Sequence, residues 1–158
     1  MKYKIGHGYD VHRLANNRKL ILGGVEIDYE RGLAGHSDAD VLIHAVIDAL
    51  LGAAGLGDIG ALFPDSDDKY RNISSVILLE EVAAMIKKDY AISNIDCTVV
   101  AQEPKLAPYK QAMKDKLSEV LHTDINIKAT TEEGLGFTGR REGIAAYAVC
   151  ILEEKIND

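Results

Sequence analysis

Val41-Leu-Ile-His-Ala-Val-Ile-Asp-Ala-Leu-Leu-Gly-Ala-Ala54 is the stretch on which the fold turns. It reads as a helix that is apolar nearly all round, and such a helix is buried on most sides. Its polar side chains, with the residue just before it, are Asp40, His44 and Asp48. Spaced by four, they stack into one stripe along one face. A lone buried histidine is more often a core residue satisfied by a neighbouring acid than a ligand. Here a second pair weighs against that reading: Asp10 and His12 in Gly6-His-Gly-Tyr-Asp-Val-His12. In an extended segment, alternation places both on one face, so two ligands can share one metal. Adding His36, from His36-Ser-Asp-Ala-Asp40, makes four metal-capable residues in the first third of the chain. Two histidines and one carboxylate with the fourth position open is the ligand set of catalytic zinc, whereas structural sites close all four positions, usually with thiolates. Asp40 or Asp48 is expected to orient the imidazole from behind.

Working outward, Tyr3 to Ile5 reads as a short strand, followed by the Asp-x-His segment. Lys19 to Asp28 reads as a hairpin whose Gly23-Gly24 pair suits a primed turn. Ser37 is expected to cap the apolar helix, with Asp40 three residues on in capping-box style and Gly55 near its end. A Gly/Asp/Pro loop, 57–68, precedes a helix from about Ile73 to Lys88 and a strand from Asn94 to Gln102, stopped by Pro104. Tyr109, Ala112, Met113, Leu117, Val120 and Leu121 recur at helical spacing, which predicts a helix over 108–121 with proline near its first turn. Strands follow at Ile125 to Thr130 and Ile144 to Leu152, separated by a glycine-rich loop. Strands alternating with helices imply an α/β protein of the α+β sandwich kind. The expected architecture is a mixed sheet with three main helices on one face, ferredoxin-like in topology.

At 158 residues the chain reads as one domain, 1–158, large enough for a real core. A net charge of -7 argues against a general binder of nucleic acid or anionic membrane, which needs a basic footprint. An anionic ligand would then need metal ions to neutralise it. The first residues contain no apolar leader-like run, and the long apolar stretch is interrupted by His44, Asp48 and glycine, so a soluble, cytoplasmic protein is expected. Cys97 and Cys150 sit in strand-like apolar runs and read as buried small hydrophobes.

Two motif matches fail on context. Gly134-Leu-Gly-Phe-Thr-Gly139 has the dinucleotide-fold spacing, but a strand-like run follows it instead of a helix and a distant acid. Its glycines shape a turn, beside which Arg140 and Arg141 could meet a phosphate. Asp65-Ser-Asp67-Asp68 opens like a calcium loop, yet Tyr70 stands at the sixth position and Val76 at the twelfth. His36-Ser37 precedes the apolar helix, where free backbone N–H groups favour a phosphate. Ala101 to Ala107 and Thr130 to Glu133 each end a strand, the places where binding loops sit in α/β proteins.

Six ordered motifs, spread over nearly the whole chain, resemble one family. They are Gly6 to His12, His36 to Asp40, Leu56-Gly-Asp-Ile-Gly60, Leu62-Phe-Pro-Asp65, Ala101-Gln-Glu-Pro-Lys105, and Lys128-Ala-Thr-Thr131 with Leu135-Gly-Phe-Thr-Gly-Arg140. The chain is thereby similar to the 2-C-methyl-D-erythritol 2,4-cyclodiphosphate synthases of the non-mevalonate isoprenoid pathway. The resemblance implies a lyase that cyclises 4-diphosphocytidyl-2-C-methyl-D-erythritol 2-phosphate and releases CMP. It implies one Zn²⁺ per subunit on Asp10, His12 and His44, and Mg²⁺ or Mn²⁺ on Glu133, bridging the substrate diphosphate. His36 then becomes a phosphate contact and transition-state stabiliser, with Thr131 its counterpart on the leaving-group side. Ser37 would contact the substrate too. Asp58, Ile59 and Gly60, with Phe63, Pro64, Asp65, Ser66 and Asp67, would hold the methylerythritol part. Ala101, Gln102, Glu103, Pro104, Lys105, Leu106 and Ala107, with Thr130 and Glu132, would form the cytidine pocket. The two groups would come from adjacent subunits of a homotrimer, whose axial cavity, at Phe137 and Arg140, would take an isoprenoid diphosphate. Rival readings are a zinc-dependent phosphohydrolase, activating water at the same site, and a metal-stapled carrier of isoprenoid diphosphates. Neither has a use for Ala101-Gln-Glu-Pro-Lys105.

Overall fold

A computed structural model describes residues 2–156; of the expected domain 1–158, Met1, Asn157 and Asp158 lie outside the described residues. The elements run β1 (Tyr3–Ala15), β2 (Leu20–Leu22), β3 (Val25–Ile27), β4 (Gly32–Leu33), α1 (Val41–Ala54), α2 (Ile59–Leu62), α3 (Ser75–Ile86), β5 (Tyr90–Val100), α4 (Lys110–Leu121), β6 (Ile125–Thr130), α5 (Gly136–Gly139) and β7 (Gly143–Glu154). Five strands form one mixed sheet in the order β4-β1-β7-β5-β6, and β2 and β3 form a separate hairpin. Among the described residues only β5 and β6 pair in parallel, because α4 carries the chain back between them.

The expected mixed sheet with helices on one face is what the chain forms. Along β7, Ile144, Ala146, Ala148, Cys150 and Leu152 are buried against the helices, while Tyr147 and Val149 between them are exposed on the other face. The ferredoxin-like expectation is not met. That topology is β-α-β-β-α-β, whereas here both helical connections precede the last two strands, and β7 inserts antiparallel between β1 and β5.

β1 is also longer than the sequence suggests. The expected short strand and the Asp-x-His segment are one strand of 13 residues, paired with β7 from Tyr3–Glu153 to Arg13–Gly143. Cross-strand pairing overrides the poor strand propensity of Gly6 and Gly8. Those glycines have a packing role: a Cβ at Gly6 would lie 1.8 Å from the Ala49 carbonyl oxygen, and one at Gly8 1.8 Å from that of Ala45. Ala45, Ala49 and Ala53, one stripe of α1, therefore rest directly on bare strand backbone. This close approach brings the start of α1 beside the next two residues of the same strand face, Asp10 and His12.

α1 is buried on nearly all sides, as its composition demands. Its cap is Asp40, not Ser37. The Asp40 carboxylate accepts from Ile43 N at 3.0 Å, and also from Gly23 N at 2.9 Å and Gly24 N at 2.7 Å. A carboxylate reaching three backbone donors displaces a serine hydroxyl whose one backbone donor is Ala39 N. It fastens the hairpin tip, where Gly23 and Gly24 have the positive φ of a primed turn, onto the helix. Cys97 and Cys150 are buried and unpaired; burial pushes their thiols up to about 12 and about 11, which keeps them protonated. Among the described residues no helix is long and apolar enough to cross a membrane.

Candidate metal centre and flanking pockets

Gly6, Gly8, Asp10 and His12 occupy one face of β1, the face that α1 covers. His44, in the first turn of α1, completes the group. Asp10 Oδ2 lies 2.9 Å from His12 Nε2 and 3.1 Å from His44 Nδ1, and the two ring nitrogens are 3.2 Å apart. Among the described residues this is the group of three whose ligand atoms all fall within 4.8 Å of one another. His36 is not in it, so four candidate ligands reduce to three.

The far side of each ring is committed elsewhere. His12 Nδ1 lies 2.8 Å from the Ala34 carbonyl oxygen, which can only accept, so Nδ1 carries a proton and Nε2 is the nitrogen that can offer a lone pair to a cation. His44 turns the opposite nitrogen inward, and its Nε2 lies 2.9 Å from Ser75 Oγ and 3.2 Å from Ser37 Oγ. Burial alone would push the Asp10 carboxyl up, but hydrogen bonds from His12 and His44 outweigh it and hold it at about 2. Burial likewise opposes charge on His12, yet Asp10 leaves that imidazole raised above its ordinary value. One anionic oxygen and two inward-facing imidazole nitrogens, half-buried, form a donor set that fits a divalent cation.

The expectation that Asp40 or Asp48 orients His44 is overturned. The Asp40 carboxylate is spent on the three backbone donors at the hairpin and helix start. Asp48 accepts from Ile59 N at 2.8 Å, and burial raises its carboxyl above the ordinary range despite that bond. The stripe has three separate duties: Asp40 caps, His44 points to the cluster, and Asp48 pins the start of α2.

A cavity of about 240 Å³ opens over the cluster, bounded also by His36, Ser37, Ile59, Gly60, Phe63 and Asp65. Tyr70 and Leu78 close it as well, apolar contributors with no local motif to reveal them. His36 Nε2 donates to Asp67 O at 3.1 Å, which holds the ring at the rim. Of the other residues expected here, Asp58 caps α2 through Ala61 N, Asp67 caps its own turn through Lys69 N, and Pro64 and Ser66 are outside the lining.

A second cavity of about 390 Å³ lies where parallel β5 and β6 end side by side, Val100 opposite Thr130. Parallel strands ending together leave a crevice for ligands. Ala101, Gln102, Pro104, Lys105, Leu106, Ala107, Thr130, Thr131 and Glu133 line it, with Lys110, which the sequence reading did not single out. Glu103 and Glu132 do not: Glu103 pairs with Arg141 at 2.9 Å, and Glu132 accepts from the Thr138 hydroxyl. The two cavities share no lining residue. Phe137 borders a separate hollow with Val11, Arg13 and Glu142, and Arg140 pairs with Glu142 at 2.9 Å.

This is a small α/β protein built to place a metal-fit cluster beneath one pocket. Residues 3–153 match the YgbB family, and the chain belongs to that family. It is 65% identical over 153 residues to the 2-C-methyl-D-erythritol 2,4-cyclodiphosphate synthase of Clostridium acetobutylicum, covering 94% of this chain and 99% of that one. The synthase of Clostridium novyi is 58% identical over 156 residues, covering 96% and 99%. Among solved structures, the bifunctional IspDF from Campylobacter jejuni matches with a TM-score of 0.93 and 45% identity over 99% of this chain, which spans 43% of that longer protein. IspF of Plasmodium falciparum, solved as a CDP complex, matches with a TM-score of 0.84 and 36% identity, covering 98% of this chain and 97% of that one. The chain is an enzyme, a lyase of the cyclodiphosphate synthase type that serves isoprenoid biosynthesis.

Proposed function

We propose that the chain, as one domain over 1–158, converts 4-diphosphocytidyl-2-C-methyl-D-erythritol 2-phosphate to 2-C-methyl-D-erythritol 2,4-cyclodiphosphate and CMP. The observation that carries this reading is the Asp10, His12 and His44 cluster under the pocket that His36 and Ser37 border. An oxygen of the substrate's 2-phosphate forms a bond to the β-phosphorus, and the bond from that phosphorus to the oxygen bridging it to the α-phosphate breaks, so CMP leaves with that oxygen. The substrate carries its own nucleophile, so the protein's task is positioning and charge stabilisation.

Asp10, His12 and His44 hold Zn²⁺, and Glu133 holds Mg²⁺ or Mn²⁺. When bound, these cations supply the positive charge that lets one phosphate approach another. His36, fixed at the rim by Asp67 O, faces the phosphate with Ser37, and Thr131 contacts the leaving-group side. Ile59, Gly60, Phe63 and Asp65 enclose the methylerythritol part. Ala101, Gln102, Pro104, Lys105, Leu106, Ala107 and Thr130 take the cytidine.

The enzyme acts as a homotrimer in the cytoplasm, with each active site made from the metal-side pocket of one subunit and the β5–β6 crevice of the next. Two observations support this. The two pockets share no lining residue within one chain. The sheet face opposite the helices also leaves Ile5, Tyr9, Val11, Tyr147 and Val149 exposed, an uncovered apolar surface of the kind that marks an interface. Phe137 and Arg140, at the edge of that face, would meet an isoprenoid diphosphate on the trimer axis. Incubating the protein with the substrate, Zn²⁺ and Mg²⁺ and following phosphorus by NMR tests the reaction. CMP with a cyclic diphosphate is the expected outcome; inorganic phosphate would indicate a hydrolase, and no product would end the proposal.

A further inference from the structure

His44 can ligate a cation through Nδ1 only if its remaining proton sits on Nε2, and nothing in α1 itself enforces that choice. The neighbours of Nε2 do. Ser75 Oγ, 2.9 Å away, is fully buried and donates its own proton to Asp38 Oδ1 at 2.5 Å. A serine hydroxyl has one proton, so with that proton committed to a carboxylate, Ser75 Oγ can only accept from His44. Asp38 is held in turn. Its Oδ2 accepts from Ser75 N at 3.1 Å, its Oδ1 from Asp40 N at 3.2 Å, and its own N–H donates to Ile73 O at 3.0 Å. Ser74, the nominal cap of α3, makes no side-chain cap bond; Asp38 does that work from another loop.

We infer that Asp38 and Ser75 form a positioning relay that keeps a proton on His44 Nε2, so that Nδ1 is the nitrogen the ring offers to a cation held with Asp10 and His12. The chain of donors runs from His44 Nε2–H to Ser75 Oγ, and from Ser75 O–H to Asp38, so a carboxylate polarises the ligand through one hydroxyl. This is the duty the sequence reading assigned to Asp40 or Asp48. It falls instead to two residues on different segments, the loop before α1 and the first residue of α3. Ser37 Oγ lies farther from the same nitrogen, at 3.2 Å, and accepts from Ala39 N. The relay deepens the proposed metal centre and rests on that reading, but its test needs no substrate.

The experiment measures Zn²⁺ affinity of the full chain by competition with a chromogenic chelator, together with the solvent exchange of the His44 Nε2–H in the Zn²⁺-loaded protein by ¹⁵N-resolved NMR. In the unaltered protein a slowly exchanging proton on His44 Nε2 is expected. Ser75→Ala should weaken Zn²⁺ binding by about 10- to 100-fold, the usual scale for losing such a partner, and speed that exchange. Asp38→Asn placed on top of Ser75→Ala should add no further loss, since Asp38 acts through the hydroxyl. Unchanged affinity in Ser75→Ala, a further independent loss in the double variant, or absence of a protected Nε2–H in the unaltered protein would each overturn the relay. The last measurement stands even where a variant fails to fold. Absence of CMP alongside the expected affinity changes would sink the proposed reaction and leave the relay in place.

Discussion

The two faces of β1 differ in a way that a single alternating strand makes plain. Even-numbered residues Gly6, Gly8, Asp10 and His12 face α1, and odd-numbered Ile5, Tyr9 and Val11 face outward. The first face is closed so tightly that two positions admit no side chain at all, and the two beyond them carry the cluster. On the second, the Tyr9 and Tyr147 rings meet at a 51° tilt with centroids 4.9 Å apart, yet each remains about two-fifths exposed. One face is packed within the chain, and the other stays exposed. The contrast teaches that the geometry of the Asp10, His12 and His44 cluster depends on packing inside one chain, whereas the completed active site is proposed to depend on packing between chains.

The largest effect should come from breaking the closed face. Gly8→Val places a Cβ 1.8 Å from the Ala45 carbonyl oxygen, so α1 must lift from the strand. A loss of about 4 kcal/mol or more is expected, against under about 1 kcal/mol for Val11→Ala on the open face, measured by urea unfolding. Similar costs for the two would end the comparison. Next, His44→Ala should bring CMP release to background and lower bound zinc in elemental analysis. Chelator treatment of the unaltered protein should do the same reversibly, and full activity after complete metal removal would contradict the proposed centre. Then, Tyr147→Asp on the open face should shift sedimentation from a trimer to smaller species, with activity falling in parallel. A trimer that persists would place the interface elsewhere.

The smallest effect sharpens the closed face further. Burial pushes the Asp40 carboxyl up to about 6, with the Asp38 charge adding to it, and three backbone N–H bonds offset this only in part. Between about pH 4 and 6 the folded chain therefore binds a proton that the unfolded chain does not, so this group's contribution to stability falls as pH rises through that window. The advantage of the unaltered protein over Asp40→Asn should be greatest near pH 4 and smaller by about 2 to 3 kcal/mol at pH 7. Urea unfolding at the two pH values checks the sign, and a widening advantage toward pH 7 would refute it.

How much was legible varies by element. The apolar helix, the Gly23-Gly24 hairpin and the Ile125–Thr130 strand are local patterns and form as read. The candidate metal residues were legible as a set, because period two on a strand pairs Asp10 with His12 and His44 is the lone histidine on a nearly all-apolar helix. The length of β1 was not, since its far half is a strand only through pairing with β7. Gly6-x-Gly8-x-Asp10-x-His12 does carry a readable signal, a period-two run of two bare positions before two ligands. Topology escaped because nothing local tells β7 to insert between β1 and β5. The nominal cap and the orienting carboxylate were misassigned for one reason: sequence proximity favoured Ser37, Asp40 and Asp48, whereas folding brought Ser75 to His44 across 31 residues.

By itself the sequence determined which residue types could bind a metal, which helix must be buried and which segments carry the family's motifs, because these depend on side-chain chemistry and short-range periodicity. Only the tertiary structure decided that each imidazole presents a different nitrogen to the cluster, and that Asp38, through Ser75, rather than Asp40 lies behind His44. Those choices rest on distances between segments far apart in the chain, and close packing of α1 on the glycines of β1 sets them.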